Sequence, residues 1–457
     1  MGICLIGLLV FMVSCRNQSP EPSSESSTGL LLSQKGLYTL LDHTIPQKAI
    51  EQEALSLMEV LTPSSLRGAE RHIAEVVPLR DGTSLRATDS VDTSPLAYVI
   101  NFADNKGYAV LSSDNRLNPV WAASPIGNLQ VDKEPDNPTV RMLLEQVEVA
   151  YNLNRYTLES GNSKHIDHRE VIGDTGDRIP PTPNLILTYT KYGPWENCFS
   201  DTHEAFIPVV WGQTDEPYNT YTKSLSDHAG CVTAAVAQIM AFHRHPSYYN
   251  WSLMLQHRPL ANPYAEYGPA FSEIAKLYRD LSQSLKVEYR KEGGFVLYKN
   301  IPNTFLSFGY THCNNPDKFS VAKIKQELQR GRGYPVHMSA TDKQKVYYKY
   351  SFWKGWKRHI KYIDGHAFVI DGITRAKRLV QKLNKYTNKV EYQYFEYTDL
   401  LHANLGWDRP DLNGYYHPDV FDTRDGYGPI LDAMSKASHG TEWVYFYNFE
   451  IITGIRP

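Results

Sequence analysis

The run Gly230-Cys231-Val232-Thr233-Ala234-Ala235-Val236-Ala237-Gln238-Ile239-Met240 constrains this chain most. Val232, Ala235, Val236, Ile239 and Met240 recur at helical spacing, and Pro246 marks where the helix must stop. A helix with such an apolar stripe has to be buried against other elements. Its first residue is a cysteine placed directly behind a glycine. A helix start offers unpaired N–H groups and a partial positive charge, so Cys231 is expected to have a depressed pKa and thiolate character. The bland alternative is an inert, packed helical thiol.

Two later motifs weigh against the bland alternative. Gly365-His366-Ala367-Phe368-Val369-Ile370-Asp371-Gly372 places a histidine at the head of an apolar run. His402-Ala403-Asn404-Leu405-Gly406-Trp407 places an asparagine 38 residues (404 minus 366) beyond that histidine. Upstream, Trp211-Gly212-Gln213 supplies an amide donor. Alone, a histidine at a strand end is more often structural, and an asparagine near a glycine is more often a turn residue. Together and in this order, cysteine, histidine and asparagine form the chain order of a nucleophilic thiol site.

Length and composition leave room for such a domain and more. The chain has 457 residues with 42% hydrophobic and 21% charged content, enough for two or three domains with sizeable cores. Net charge is -3, which argues against a nucleic-acid partner. Ile3 to Val13 is uncharged and apolar, too short to span a bilayer but long enough for a signal peptide. It ends in Met12-Val13-Ser14-Cys15, which resembles the lipobox of bacterial lipoproteins, with lipid on Cys15. The following Ser-, Pro- and Glu-rich stretch fits a solvated tether. With Cys4 removed and Cys15 lipidated, Cys198, Cys231 and Cys313 remain, and of these Cys198 and Cys313 are free to pair or not. No C-x-x-C spacing is present, so neither metal nor cofactor is expected.

The chain divides at a polar, Gly- and Pro-containing stretch. Ahead of it, strands are expected at 97–103 and 108–111 around an Asp104-Asn105-Lys106-Gly107 turn, with a third from Val120. Asn137-Pro138 caps an amphipathic helix carrying Val140, Leu143, Leu144, Val147 and Tyr151. Behind it come the Cys231 helix, a helix near 271–285, and one capped by Ser320 and stopped by Gly331. Strands follow at 334–339, 367–371, 390–397 and 443–452.

These motifs resemble the streptopain family of papain-like bacterial cysteine proteases. The matching segments are 211–219, 230–240, 309–320, 334–336, 365–372, 402–407 and the closing Gly-Ile-Arg-Pro. Tyr98-Val99-Ile100-Asn101-Phe102 and Gly107 to Ser112 are similar to the family's inhibitory propeptide. The resemblance implies an α+β fold, with a papain-like catalytic domain over 189–457 behind a small α+β propeptide domain over 36–160. A signal peptide over 1–14, a tether over 15–35 and an activation linker over 161–188 complete the expected layout. It implies a zymogen of a cysteine endopeptidase that acts on protein or peptide substrates and carries its own propeptide as an intramolecular inhibitor. It also implies Cys231 and His366 as the catalytic pair, Gln213 as the oxyanion donor, Asn404 orienting His366, and Trp407 shielding it on the cleft wall. The chain is expected to be exported and membrane-anchored through lipid. Two alternatives are a cell-wall peptide amidase or transpeptidase, and a catalytically inactive binding lipoprotein.

The sequence departs from the family at Leu405, where a tryptophan is usual, and at Asp408-Arg409-Pro410, where glycines are usual. Residues 341–364 look like an insertion rich in Lys, Tyr and Trp, expected as a surface loop edging the cleft. His243 and His245 form an H-x-H pair at the end of the Cys231 helix, with packing the favoured role.

Overall fold

The computed structural model describes residues 45–62, 70–79, 95–130, 137–159, 169–171, 188–257, 268–290, 293–351, 355–363, 365–422 and 444–457. The expected signal peptide, Cys15 and the tether lie outside the described residues, as does most of the expected linker.

The front unit opens with a helix over Gln47–Leu61, followed by strands β1 (Ile73–Leu79), β2 (Ala97–Phe102), β3 (Tyr108–Ser112) and β4 (Val120–Ser124). Asp104 and Asn105 both adopt positive φ in the β2–β3 turn, the conformation these short polar residues tolerate best. A helix over Pro138–Glu159 closes the unit, and the Asn137 side chain accepts the N–H groups of Thr139 and Val140 at 3.0 and 3.2 Å.

Next come β5 (Arg169–Val171), β6 (Thr188–Tyr192) and β7 (Glu196–Asn197). The Cys231–His243 helix is followed by helices over Pro269–Leu285, Asn300–Ser307 and Val321–Leu328. Between and after these lie β8 (Glu288–Arg290), β9 (Gly293–Phe295), β10 (Asp317–Lys318), β11 (Val336–Ser351) and β12 (Gly355–Ile363). The chain finishes with β13 (His366–Asn384), β14 (Val390–Asn404), β15 (Gly414–Tyr416) and β16 (Val444–Ile452). Part of the expected linker is therefore a strand, with β5 pairing along β14 from Tyr394 to Glu396.

Among the described residues fourteen strands form one sheet, in the order β1-β2-β3-β4-β15-β14-β13-β11-β16-β10, with β12, β5, β6 and β7 attached alongside. The front unit enters this sheet where β4 pairs with β15, Ala122 opposite Tyr416 and Ala123 opposite Tyr415. Small alanines suit this junction because both strands are buried there.

Helices from both parts cover the sheet. The Pro138–Glu159 helix buries Val140, Leu143 and Val147 in one core with Phe368, Leu401, Phe421 and Phe449. The Gln47–Leu61 helix buries Ile50, Leu57 and Leu61 in another core with Trp195, Ala376, Leu400 and Tyr415. The Cys231 helix fills a third core with Leu277, Tyr278, Phe305, Val369 and Ile452. Front and rear thus share two hydrophobic cores, each worth roughly 25 cal/mol per Å² of apolar surface removed from water.

Within 341–364, expected as a loop, residues 341–351 instead extend β11 and residues 355–363 form β12, an antiparallel pair running from Lys343–Ile363 to Ser351–Gly355. Tyr, Val, Trp and Ile at alternate positions favour extended backbone, and this local preference accounts for the strand.

One buried ionic cluster bridges the two parts. Arg378 on β13 meets Glu53 of the first helix at 2.7 Å and Glu396 on β14 at 2.6 Å, and all three side chains are almost wholly buried. The guanidinium also lies over Tyr192 and Trp195, 4.4 and 4.6 Å from the ring centres. Burial pushes the Glu53 carboxyl up despite the pull of Arg378. Arg378→Met would leave two carboxylates facing each other without a counter-charge. Breaking a buried pair in this way costs about 3–5 kcal/mol. Denaturant unfolding of the full chain should show a loss of that order, and a loss under 1 kcal/mol would mean the cluster is not a structural tie.

Candidate active site

Gly230 precedes the Cys231 helix with φ 99°, a conformation that favours glycine. It turns the chain so that its carbonyl accepts the first helical bond, from the Ala234 N–H at 3.1 Å. Cys231 is the first helical residue, and the nearby backbone N–H groups of Ala367, Val232 and Cys231 itself pull the pKa of its thiol down. Each of these donors favours the thiolate, yet burial outweighs them and the thiol is pushed up, not down. The expected depressed pKa is therefore corrected for this state, because removing the thiolate from water costs more than three N–H groups return.

Ala367, in the core against which Cys231 packs, links the cysteine motif to the histidine motif. His366 is the first residue of β13 and lies opposite Ala340 of β11. Its Nε2 sits 3.0 Å from the Leu405 carbonyl. A carbonyl can only accept, so in the neutral ring the proton is on Nε2 and Nδ1 is the basic nitrogen. The imidazole stacks between Trp407, 5.6 Å away at 13°, and Phe368, 6.2 Å away at 16°. Burial lowers its pKa to about 4, so the ring is neutral at pH 7. Among the described residues no hydrogen bond joins Cys231 to His366.

Front-unit residues brace both sides of this histidine. Trp407 Nε1 donates to Thr139 Oγ1 at 2.9 Å. The Leu405 N–H donates to Asn413 Oδ1 at 2.9 Å, and the Asn413 carbonyl accepts from Ser124 Oγ at 3.0 Å.

Among the described residues no hydrogen bond joins Asn404 to His366. Its Nδ2 donates to the Val209 carbonyl at 2.9 Å, and its Oδ1 accepts from Gln238 Nε2 at 3.1 Å. Gln238 also donates to the Trp211 carbonyl at 2.7 Å. Asn404 and Gln238 therefore fix the 209–213 segment to the Cys231 helix. Gln213 is 5% exposed, its carbonyl accepts the Ala229 N–H at 2.7 Å, and its Nε2 makes no hydrogen bond. A buried, unused amide donor costs free energy, on the order of 1–3 kcal/mol, unless something else fills it. Gly212 has no room for a side chain, since a Cβ there would lie 2.8 Å from the Asp408 backbone nitrogen.

Sequence reasoning assigned no role to Gln238, Asn413, Thr139 or the Leu405 carbonyl. For Gln238 a signal existed, as a lone polar side chain on an apolar helix. For the others there was none, because they act through folded proximity. His243 and His245 both pack edge-on to the Tyr310 ring, at 5.5 and 4.9 Å. Cys198 and Cys313 are free thiols.

Comparison with known proteins shows two domains. Residues 211–248 and 247–416 match the Peptidase C10 family, and residues 49–151 match the Spi protease inhibitor. The chain carries a Peptidase C10 domain behind a Spi protease inhibitor domain. It is a cysteine-type peptidase that carries an inhibitory propeptide ahead of its protease domain, in the manner of a zymogen. No curated protein matches it. Among solved structures it is similar to a cysteine-to-alanine mutant fragment of Prevotella intermedia prointerpain A. That likeness has 17% identity and a TM-score of 0.46, covering 80% of this chain and 98% of the other.

The histidine environment has a pH consequence. His366 sits at about 4 in this state, below the roughly 6.5 of a free imidazole. The stability it contributes is complete above about 6.5 and is lost as pH falls through about 4. In NMR titration of the intact C10 precursor bearing Cys231→Ala, the His366 ring should stay neutral to near pH 4 and rise in pKa once residues 45–159 are removed. An ordinary titration in the intact chain would contradict this burial.

Proposed function

We propose that Cys231 and His366 are the catalytic pair of this C10 peptidase, and that the chain is the precursor of an exported, lipid-anchored endopeptidase. The observation that carries the reading is the meeting of the two motifs, with Cys231 packed against the core that holds Ala367 and Val369, the residues that follow His366 on β13. His366 Nδ1 takes the thiol proton, and the thiolate forms a C–S bond to the scissile carbonyl. Gln213 Nε2 and the Cys231 N–H receive the oxyanion. His366 then protonates the leaving amine as the C–N bond breaks. Water, deprotonated by His366, attacks the thioester, and the C–S bond breaks to release the acid and restore the thiol. Asn404 supports this by anchoring the Gln213 segment and orienting the strand that holds the histidine.

In the precursor, the Thr139 and Ser124 contacts hold Trp407 and Leu405 around a neutral, unengaged His366. The front unit over 36–160 acts as the inhibitor, and cleavage between Tyr156 and Leu187, within the 161–188 linker or its approach, separates it from the protease over 189–457. Lipid on Cys15 anchors the chain, and uptake of labelled palmitate by Cys15→Ser would exclude that anchor.

Cys231→Ala should abolish peptide hydrolysis with the fold intact, since alanine is a good helix former. Gln213→Ala should lower kcat by roughly 10²–10³, the usual cost of one oxyanion donor. Steady-state kinetics on the processed enzyme would check both, and turnover by the alanine-for-cysteine protein would remove the mechanism. The full precursor should also be much less active than a chain starting at Asn184. Equal rates on a short peptide would rule out inhibition by the front unit.

A further inference from the structure

Residues 405–408 run past each part of the proposed site. The Leu405 carbonyl faces His366 Nε2 at 3.0 Å, and the Trp407 ring stacks on the His366 imidazole. Gly406 passes the Cys231 helix, where a Cβ on it would lie 3.6 Å from Ala234 Cβ. Asp408 backs onto Gly212, the residue before Gln213. A Cβ on Gly212 would lie 2.8 Å from both the Cβ and the backbone nitrogen of Asp408. A single short loop thus connects the histidine to the segment that carries Gln213.

The Asp408 side chain fastens the far end of this loop. Its Oδ1 accepts the hydroxyl of buried Tyr218 at 2.7 Å. The Tyr218 ring packs on Tyr278 with centres 5.1 Å apart, and the Tyr278 hydroxyl donates to the Gly212 carbonyl at 2.9 Å. The peptide leading into Gln213 is therefore held by a tyrosine pair and backed by Asp408. Burial and the nearby Asp215 carboxylate raise Asp408 to about 6, so it is largely ionised at pH 7. Burial also keeps the Tyr218 phenol protonated. A phenol donating to a carboxylate makes a charge-assisted bond, stronger than a neutral one. Asp408 has φ 56°, a conformation that glycine reaches with less strain. The carboxylate, not the backbone, is what suits aspartate to this position.

Both ends of this tie belong to the protease part. Thr139 and Ser124, which brace Trp407 and Asn413, belong to the front unit and leave with it. The Asp408–Tyr218 bond stays. An oxyanion donor is effective only at about 2.7–3.1 Å from the developing charge, so Gln213 needs a fixed place.

We propose that Asp408 is a positioning residue that, through Tyr218 and Gly212, fixes Gln213 relative to Cys231 and His366 in the processed enzyme. The proposal rests on the reading of Gln213 as the oxyanion donor. Asp408 itself takes no part in bond making.

Two reactions of the processed enzyme test it, with each variant made as the full chain and cut in the linker. Hydrolysis of a short peptide amide passes through an oxyanion. Alkylation of Cys231 by iodoacetamide, followed by peptide mapping, does not, because the thiolate forms a C–S bond to the methylene carbon as iodide leaves. Asp408→Ala should lower kcat roughly ten- to a hundred-fold, the scale of a donor misplaced by about 1 Å. KM and the alkylation rate should stay within about two-fold of wild type. Tyr218→Phe should behave alike, and the double variant should be no worse than either single one. Asp408→Asn keeps an acceptor oxygen for Tyr218 and should recover most of kcat, which guards against a loop that simply collapses. In a Gln213→Ala background, Asp408→Ala should change kcat less than about two-fold. Wild-type kcat in Asp408→Ala would overturn the proposal, as would an undiminished loss in the Gln213→Ala background or an equal loss of alkylation. Wild-type kcat in Gln213→Ala would sink the oxyanion reading and the proposal with it. A loss in Gln213→Ala with none in Asp408→Ala would sink the positioning role alone.

Discussion

Two residue pairs join this protein into one sheet. Ala122 and Ala123 of β4 lie opposite Tyr416 and Tyr415 of β15, and through them the inhibitor strands continue into the protease strands. Backbone pairing of this kind needs both strands to be extended, close and in register at once. It therefore fixes where every other front-unit residue falls. Thr139 reaches Trp407, Ser124 reaches Asn413, and Glu53 reaches Arg378 because β4 sits on β15. Without the junction these are three isolated polar contacts. With it they act together, supported by two hydrophobic cores that contain residues from both parts.

The resting state of the site follows from the same docking. The proposed mechanism needs a thiolate–imidazolium pair, and burial opposes both ions. Here the Cys231 thiol is pushed up and the His366 imidazole down to about 4, so both are neutral. The Leu405 carbonyl and the flanking Trp407 and Phe368 rings hold His366 in a position suited to a neutral imidazole. The Gln213 Nε2 is buried without a hydrogen-bond partner, as the proposed oxyanion donor would be before substrate binds.

Asn404 makes other contacts than the one its motif implies. The sequence order implies that it orients the histidine. In the fold it lies opposite Val369 in the β13–β14 register, and its amide bridges Val209 and Gln238. Its effect on the site runs through the Gln213 segment. A buried asparagine must place both ends of its amide, and the partners available are set by strand register, which no local pattern encodes.

The sequence by itself determined the chain order of the site residues, the helix that carries Cys231, the Asn137 and Ser320 caps and the front-unit hairpin. Each of these depends on local spacing, turn chemistry or apolar periodicity, all of which act over a few residues. The ribbon at 343–363 was within reach of the same reasoning, since its alternation has the period of a strand, but its density of lysine made it resemble a loop. Only the tertiary structure decided that the front unit joins the protease sheet, that Thr139 and Ser124 brace the histidine, and that Arg378 is shared by two carboxylates. It also decided the sign of the Cys231 shift. A helix start favours the thiolate in any sequence, but how much water the thiol loses depends on residues more than a hundred positions away.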